Sequence, residues 1–270
     1  MSNERSRFSR IRRVRGASAD QLDDRVAVEE PLEIRILGKP VSVVMRTPGD
    51  DADLAVGFVV TEGLCTFDDI SAAAACVDAK GAAVENVMNV SLIEGAAARP
   101  EIVQRNFYVT SSCGVCGKAT LDAVNIASPP VDANIKITRK LLSTISEKCI
   151  EKQTAFAATG GIHAACLFDT SGNLLIIRED VGRHNAVDKI VGSLVRARKF
   201  PPENCILWVS GRAAFEIIQK ARIARIAIVV SVGAPTSLAI DCARDGNMTL
   251  VGFLRNDGFN IYSGGERVEG

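Results

Sequence analysis

The sequence predicts an α/β fold, and three observations support this. Short apolar runs alternate with helical segments of about ten residues in the second half of the chain, which is typical of βαβ crossovers and a largely parallel sheet. Apolar residues make up 47% of the chain but aromatic residues only 5%, so Val, Ile, Leu and Ala must form most of the core. With 270 residues, the chain can bury a sizeable core in one or two domains.

Composition divides the chain into three segments. Six arginines stand among serines at positions 5 to 15, and residues 1–25 are therefore predicted to form a disordered Arg-rich arm. Residues 26–130 are predicted to form a smaller N-terminal lobe. Ser128-Pro129-Pro130 interrupts any helix and favours an extended link, so a boundary is placed at residue 130. Residues 131–270 form the predicted α/β lobe.

Each element has a local signal. Alternating apolar residues predict strands at 32–36 and 41–45 around a Gly-Lys-Pro turn, and Asp50 or Asp51 can cap a helix that runs to about Glu62. Further strands are predicted at 86–92 and 107–110. In the α/β lobe, helices are predicted at 138–152, 185–198, 213–222 and 235–243, and strands at 164–168, 174–178, 206–209, 227–231 and 249–253.

The charge balance excludes some functions. The chain has 32 basic and 32 acidic side chains, so there is no general attraction to nucleic acid or to an anionic membrane. No apolar run approaches the ~18 residues of a spanning helix, and the N-terminus lacks the apolar core of a secretory signal. These features predict a cytoplasmic protein that binds neither nucleic acid nor membrane.

The cysteines separate into two groups. Six of the eight stand singly in apolar contexts and are predicted to be small buried hydrophobic residues. Cys113 and Cys116 instead form a Cys-x-x-Cys pair in a polar, Gly-rich turn. Such a pair can be half of a zinc site, a dithiol redox couple, or a nucleophile with a helper thiol.

The setting of this pair favours the nucleophile, although the other two uses stay open. A zinc site needs two more ligands, and only scattered candidates exist, namely His163, His184, Cys149 and Cys166. A cysteine between a strand end and a helix start meets free N–H groups and the positive end of the helix, which favour the thiolate.

Polar turns follow several predicted strands of the α/β lobe. In a parallel sheet such turns line one edge, where ligands bind, and helix N-termini with arginines suit phosphate. The predicted anion site comprises Arg183, His184, Ser210, Gly211, Arg212, Thr236 and Ser237, with the loop after the last predicted strand, 255–258, beside it. His163, next to small apolar residues, is interpreted as a structural histidine.

Several motifs, in order along the chain, resemble the FdhD/NarQ family of sulfur carrier proteins required for formate dehydrogenase activity. The first is Ser111-Ser-Cys-Gly-Val-Cys-Gly-Lys118. The others are Thr159-Gly-Gly-Ile-His-Ala164, Arg178-Glu-Asp-Val-Gly-Arg-His-Asn-Ala-Val-Asp-Lys189, Val209-Ser-Gly-Arg212, Ala234-Pro-Thr-Ser-Leu238 and Leu250-Val-Gly-Phe-Leu-Arg255. The resemblance covers residues 27 to 267 and leaves the Arg-rich arm outside.

The resemblance implies a cytidine-deaminase-like mixed sheet with flanking helices, and a homodimer. It implies that a cysteine desulfurase loads a persulfide on Cys113, with Cys116 as its partner. The sulfur would pass to the molybdenum (or tungsten) bis-guanine-dinucleotide cofactor before insertion into formate dehydrogenase, and GDP would mimic a fragment of that cofactor. The cofactor-binding stretch falls on Phe253, Leu254, Arg255, Asn256, Asp257 and Gly258.

Two rival functions are weighed against sulfur transfer. A zinc nucleobase deaminase needs His-x-Glu and Pro-Cys-x-x-Cys, but Ala165 stands where the carboxylate would be and Ser112 precedes Cys113. The second rival is a cofactor chaperone that binds the molybdenum cofactor without transferring sulfur, and it needs no thiol. No structural metal is expected.

Overall fold

The computed structural model describes residues 4–96 and 128–270. The predicted strand at 107–110 and the Cys-x-x-Cys turn lie outside these ranges. None of the helices in the described ranges is long and apolar enough to span a membrane.

A six-stranded mixed sheet forms the centre of the fold, with strand order β13-β12-β11-β10-β8-β9. Strands β10, β11 and β12 run parallel, whereas the pairings β8–β9, β8–β10 and β12–β13 are antiparallel. The expectation of a largely parallel sheet is therefore wrong outside its centre, because tight turns join β8 to β9 and β12 to β13. The strands are β8 (His163–Asp169), β9 (Leu174–Asp180), β10 (Cys205–Val209), β11 (Ile228–Ser231), β12 (Thr249–Arg255) and β13 (Gly258–Ser263).

Helices cover this sheet. α2 (Arg139–Lys152) contacts β9 and β12, and the buried Trp208 of β10 donates from its indole N–H to Ser146 Oγ at 3.0 Å. α4 (Arg183–Arg196) packs on β8 and β9, and it also contacts α5 (Phe215–Ile223). α6 (Ser237–Asp245) packs against α5 and β12, and the short α3 (Thr154–Thr159) precedes β8.

The N-terminal part adds a four-stranded sheet with strand order β4-β3-β6-β5. Its strands are β3 (Glu30–Ile36), β4 (Lys39–Arg46), β5 (Ile70–Val77) and β6 (Ala83–Leu92). α1 (Asp51–Thr61) connects β4 to β5 and contacts both β5 and β6. Short strands β7 (Ile137–Thr138) and β14 (Val268–Glu269) pair in parallel.

α1 and α4 join the two halves. Both helices approach closely because a glycine lies at each contact: a methyl group on Gly57 would collide with the carbonyl of Asp188, and one on Gly192 with the carbonyl of Asp53. One continuous hydrophobic core contains residues from both sides of residue 130. The lobe boundary at 130 stays a prediction.

The N-terminal arm differs from its expected disorder. β1 (Ser6–Arg15) and β2 (Ser18–Ala27) form an antiparallel hairpin with an unbroken register. Disorder was predicted because no apolar periodicity is visible in this segment. Cross-strand pairs such as Ile11 with Leu22 stabilise the hairpin instead, and the apolar periodicity of a single strand does not reveal such pairs.

Candidate functional site: a polar edge of the central sheet

The Cys113–Cys116 pair, predicted to be reactive, lies outside the described residues, so its role stays a prediction. The six remaining cysteines are all in the described part. Cys65, Cys149, Cys166, Cys205 and Cys242 are buried, as predicted, and Cys76 on β5 is half-buried. Burial raises the pKa of Cys149 and Cys242, and it raises the pKa of Cys205 to about 11. These three thiols stay protonated at neutral pH and are poor nucleophiles.

Five turns of the α/β lobe meet at one edge of the central sheet. The parallel strands β10, β11 and β12 all end there, and the antiparallel neighbours bring the start of β8 and the end of β9 to the same place. The expectation that the turns line one edge is therefore confirmed. The turns are 160–163, 181–184, 210–214, 232–236 and 253–258.

Backbone hydrogen bonds connect neighbouring turns. The amide of Ala164 donates to Ser210 Oγ at 3.0 Å, and the amide of Gly233 donates to the carbonyl of Gly211 at 3.1 Å. The amide of Phe253 in turn donates to the carbonyl of Gly233 at 3.1 Å. The turns after β10, β11 and β12 therefore form one continuous rim with the start of β8.

The rim depends on glycine at Gly233. A Cβ at this position would lie 2.9 Å from the backbone N and Cα of Arg212. Only glycine lets the two turns approach so closely. Ser210 and Gly211 are half-buried, while the Arg212 side chain is exposed beside them.

Two histidines and an arginine lie together at the rim. Ser210 Oγ is 3.5 Å from His163 Nδ1, and a Cβ on Gly211 would lie within 4 Å of both His163 and Arg183. His184 Nε2 is 3.1 Å from Glu216 Oε2 on α5. From its small apolar neighbours in the sequence His163 was expected to be structural, but its position places it among the rim residues.

The two histidines and the arginine at the rim differ in their electrostatic surroundings. Burial lowers the pKa of His163, and the nearby charges of Arg183 and His184 lower it further. The contact with His184 holds the pKa of Glu216 below its ordinary value. Arg183 Nε is buried and has no hydrogen-bond partner among the described residues. The cluster thus combines a neutral histidine with a guanidinium that is available to an anion.

A buried network fixes the turn at 181–184. Lys189 Nζ lies 2.7 Å from Asp180 Oδ2, and both side chains are fully buried. The other carboxylate oxygen of Asp180 accepts from the amide of Gly182 and from Asn185 Nδ2, at 2.8 and 2.9 Å. The amide of Thr47, from the end of β4, donates to the same carboxylate at 3.2 Å. Asp180, Asn185 and Lys189 were not selected from the sequence, because each also contacts the segment 45–47, more than 100 residues away.

Three helices begin at this rim. Gly182 precedes α4, Ala214 precedes α5, and Thr236 precedes α6. Thr236 accepts from the amide of Ala239 through its side chain, and its own amide donates to the carbonyl of Ala213. Helix N-termini carry a positive partial charge and favour anions. Thr236 and Ser237 are exposed at the start of α6.

The residues of the stretch 253–258 differ in exposure and in the groups they contact. Phe253 adopts a left-handed backbone (φ 55°) at a bulge between β12 and β13, and its ring is 44% exposed beside the rim. Arg255 donates to the carbonyls of Val232 and Leu254, both at 2.8 Å, so part of its guanidinium holds the rim together. Leu254 is buried, whereas Asn256, Asp257 and Gly258 form the exposed turn. Asn256 bonds to Glu147 of α2 and is directed to that helix.

The described ranges contain no group of three or more His, Cys, Asp or Glu side chains able to hold a metal ion. His163 and His184 are candidates for hydrogen bonding or proton transfer rather than members of such a group. The zinc alternative for the Cys-x-x-Cys pair involves residues outside those ranges and is not tested by this finding.

The fold and the rim define a mixed α/β protein in which one edge of the central sheet is suited to binding anions. Comparison with known proteins gives its family. The family model described as "FdhD/NarQ family" matches residues 27–269. The chain belongs to the FdhD/NarQ family.

Relatives match along nearly the whole chain. The "Sulfur carrier protein FdhD" of Streptomyces coelicolor is 44% identical, and the match covers 96% of this chain and 94% of that protein. The protein of the same name from Mycobacterium tuberculosis is 44% identical over 95% of this chain and 97% of its own. A crystal structure from Desulfotalea psychrophila, provisionally assigned as a formate dehydrogenase accessory protein, superposes with a TM-score of 0.77 at 22% identity, covering 98% and 100% of the two chains. This last likeness shows the fold.

Proposed function

We propose that this protein is a sulfur carrier that moves persulfide sulfur from a cysteine desulfurase to a molybdenum bis-guanine-dinucleotide cofactor, and that formate dehydrogenase needs this transfer. The name shared by relatives at 44% identity supports the sulfur-carrier role. The observation that supports the cofactor as the recipient of the sulfur is the continuous rim of turns, which presents helix N-termini and arginines at one edge of the central sheet.

Cys113 is the acceptor in this proposal. Its thiolate attacks the outer sulfur of the desulfurase persulfide, a new S–S bond forms on Cys113, and the desulfurase cysteine leaves as a thiolate. Cys116 is the helper thiol. Support comes from the buried cysteines elsewhere, since raised pKa values keep Cys149, Cys205 and Cys242 from competing as nucleophiles.

The rim is the proposed binding site for the cofactor, which is the substrate that receives the sulfur. Arg183 and Arg212 would neutralise pyrophosphate oxygens, and the turn amides would donate to them. Phe253 offers an exposed aromatic face beside these groups. Since Arg255 already bonds two carbonyls, we assign it to holding the turns as well as to the anion.

The experiment compares formate dehydrogenase activity in cells that lack this protein and express a variant of it. We expect Cys113→Ala to abolish the activity and Cys116→Ala to reduce it severely, because each removes a reacting thiol. Cys76→Ala, at the half-buried cysteine of β5, is the matched control and should retain wild-type activity. Full activity of a variant lacking both Cys113 and Cys116 would refute sulfur transfer and leave the cofactor chaperone.

A further inference from the structure

The arginine arm, defined here as residues 6–27, contributes none of the thiols or rim residues described above. All but its last residue lie before the family match, which begins at residue 27. The arm contains six arginines and three aspartates, whereas the whole chain has equal numbers of basic and acidic side chains. Positive charge is therefore concentrated on one hairpin of an otherwise balanced protein.

The arm leaves the body of the protein close to the rim. Arg5 anchors its base through an ion pair with Asp50 at 2.8 Å, and the carbonyl of Arg5 accepts from the amide of Val28. At the other side of the base, a Cβ on Gly161 would lie 3.8 Å from the Ala27 side chain. Gly161 is two residues before His163. A partner held by the arm would therefore sit beside the candidate cofactor site.

The two faces of the arm differ. Ile11 and Leu22 are paired in register and half-buried on one face, near α3. On the opposite face Phe8 is 68% exposed and Val14 is 64% exposed, and the Arg25 guanidinium lies 5.1 Å from the centroid of the Phe8 ring. Exposed aromatic and arginine side chains on one surface are the residue types enriched at protein interfaces.

Much of the positive charge of the arginine arm is available to a binding partner. Arg10 pairs with Asp23 at 3.3 Å and Arg13 with Asp24 at 3.8 Å, both at exposed positions where such pairs contribute little to stability. The other three arginines of β1 are exposed and form no ion pair within the described part of the chain. They are Arg7, Arg12 and Arg15.

We infer that the arginine arm docks an acidic surface of a protein partner and holds that partner beside the rim. Charge complementarity identifies the partner surface as acidic, and the apolar side chains Phe8 and Val14 favour a protein over a nucleic acid. The inference rests on the proposed function for the two proteins to be tested, which are the cysteine desulfurase that donates the sulfur and the formate dehydrogenase that receives the sulfurated cofactor.

The test measures association of the full-length chain with the cysteine desulfurase and with the formate dehydrogenase of the same organism, by surface plasmon resonance at low and high salt. The triple variant Arg7→Glu/Arg12→Glu/Arg15→Glu should lower the association rate with one of them by about tenfold or more at low salt. The matched control reverses three exposed lysines elsewhere, Lys39→Glu/Lys80→Glu/Lys140→Glu, and should change the rate less than about twofold. Phe8→Ala, which keeps every charge, should speed dissociation and guards against misfolding of the triple variant.

Equal association of the arm variant and the control with both proteins would overturn the inference. The inference would also be overturned if the arm variant lost binding to a single-stranded RNA oligonucleotide while its association with both proteins stayed unchanged. The arm would then bind nucleic acid. Cys113→Ala keeps the arm and should dock at the wild-type rate. A protein that docks through the arm but never carries a persulfide would refute the proposed function and leave the docking role intact.

Discussion

Arg183 is the side chain on which most of the anion-binding argument depends. Its Nε is buried without a hydrogen-bond partner in the described ranges, and it begins α4 at the rim. The neighbouring His163 has a lowered pKa, first because of burial and then because of Arg183 and His184. At neutral pH His163 is therefore uncharged, and the Arg183 guanidinium supplies positive charge to this cluster.

We expect Arg183→Gln to weaken GDP binding by about tenfold or more, because a hydrogen bond to a charged group contributes about 1.5–3 kcal/mol. Isothermal titration calorimetry measures the affinity. Lys199→Gln, an exposed change just after α4 and distant from the rim, is the control. Equal affinity of the two variants would remove Arg183 from the anion site.

At the scale of elements, a buried ion cluster fixes α5 against α1 and α4. Lys220 of α5 donates to Asp188 of α4 at 3.0 Å, to Thr61 Oγ1 of α1 at 2.9 Å, and to Glu62 at 2.7 Å. Burial raises the pKa of Asp188 and Lys220 opposes that rise, while the two carboxylates raise the pKa of Lys220. The cluster sets the position of α5 and hence of the turn before it.

Lys220→Met should destabilise the protein by about 3–5 kcal/mol at neutral pH, because Asp188 is left buried without its counter-charge. The folded-state pKa of Asp188 is raised and rises further without Lys220, so the folded state binds the proton more tightly than the unfolded state. The loss of stability should therefore be smallest at acidic pH and grow as the pH rises from the ordinary carboxyl value toward the folded-state pKa.

Urea unfolding at several pH values measures this effect. The double variant Lys220→Met/Asp188→Leu removes both charges and should recover much of the stability. If the Lys220→Met variant lost the same amount of stability at every pH, the protonation of Asp188 would not depend on Lys220.

Elements with strong local signals were predictable from the sequence, whereas elements that form only through pairing with another strand were not. α1, α2, α4, α5 and α6 were predicted within a few residues, since their caps and apolar spacing lie in the sequence itself. β5 was missed because its run of alanines has little strand preference, and it forms through pairing with β6. The rim turns were predicted to converge, but the place of His163 required the antiparallel pairing of β8 with β10.

At the scale of the whole molecule, two sheets and the helices between them share one core, with the rim at one edge and the arginine arm beside it. This arrangement separates two tasks. The rim suits a phosphorylated ligand, and the arm offers charge to a protein. The cysteines proposed to carry the sulfur, Cys113 and Cys116, lie outside the described ranges.

Cys113 is the residue proposed to carry sulfane sulfur. The direct measurement is mass spectrometry of the peptide containing Cys113 and Cys116, after incubation of the protein with a cysteine desulfurase and cysteine. We expect a mass increase of one sulfur atom on Cys113, which is lost after reduction and absent from Cys113→Ala. An unmodified Cys113 after incubation with a desulfurase shown to be active on cysteine would refute sulfur transfer through this residue.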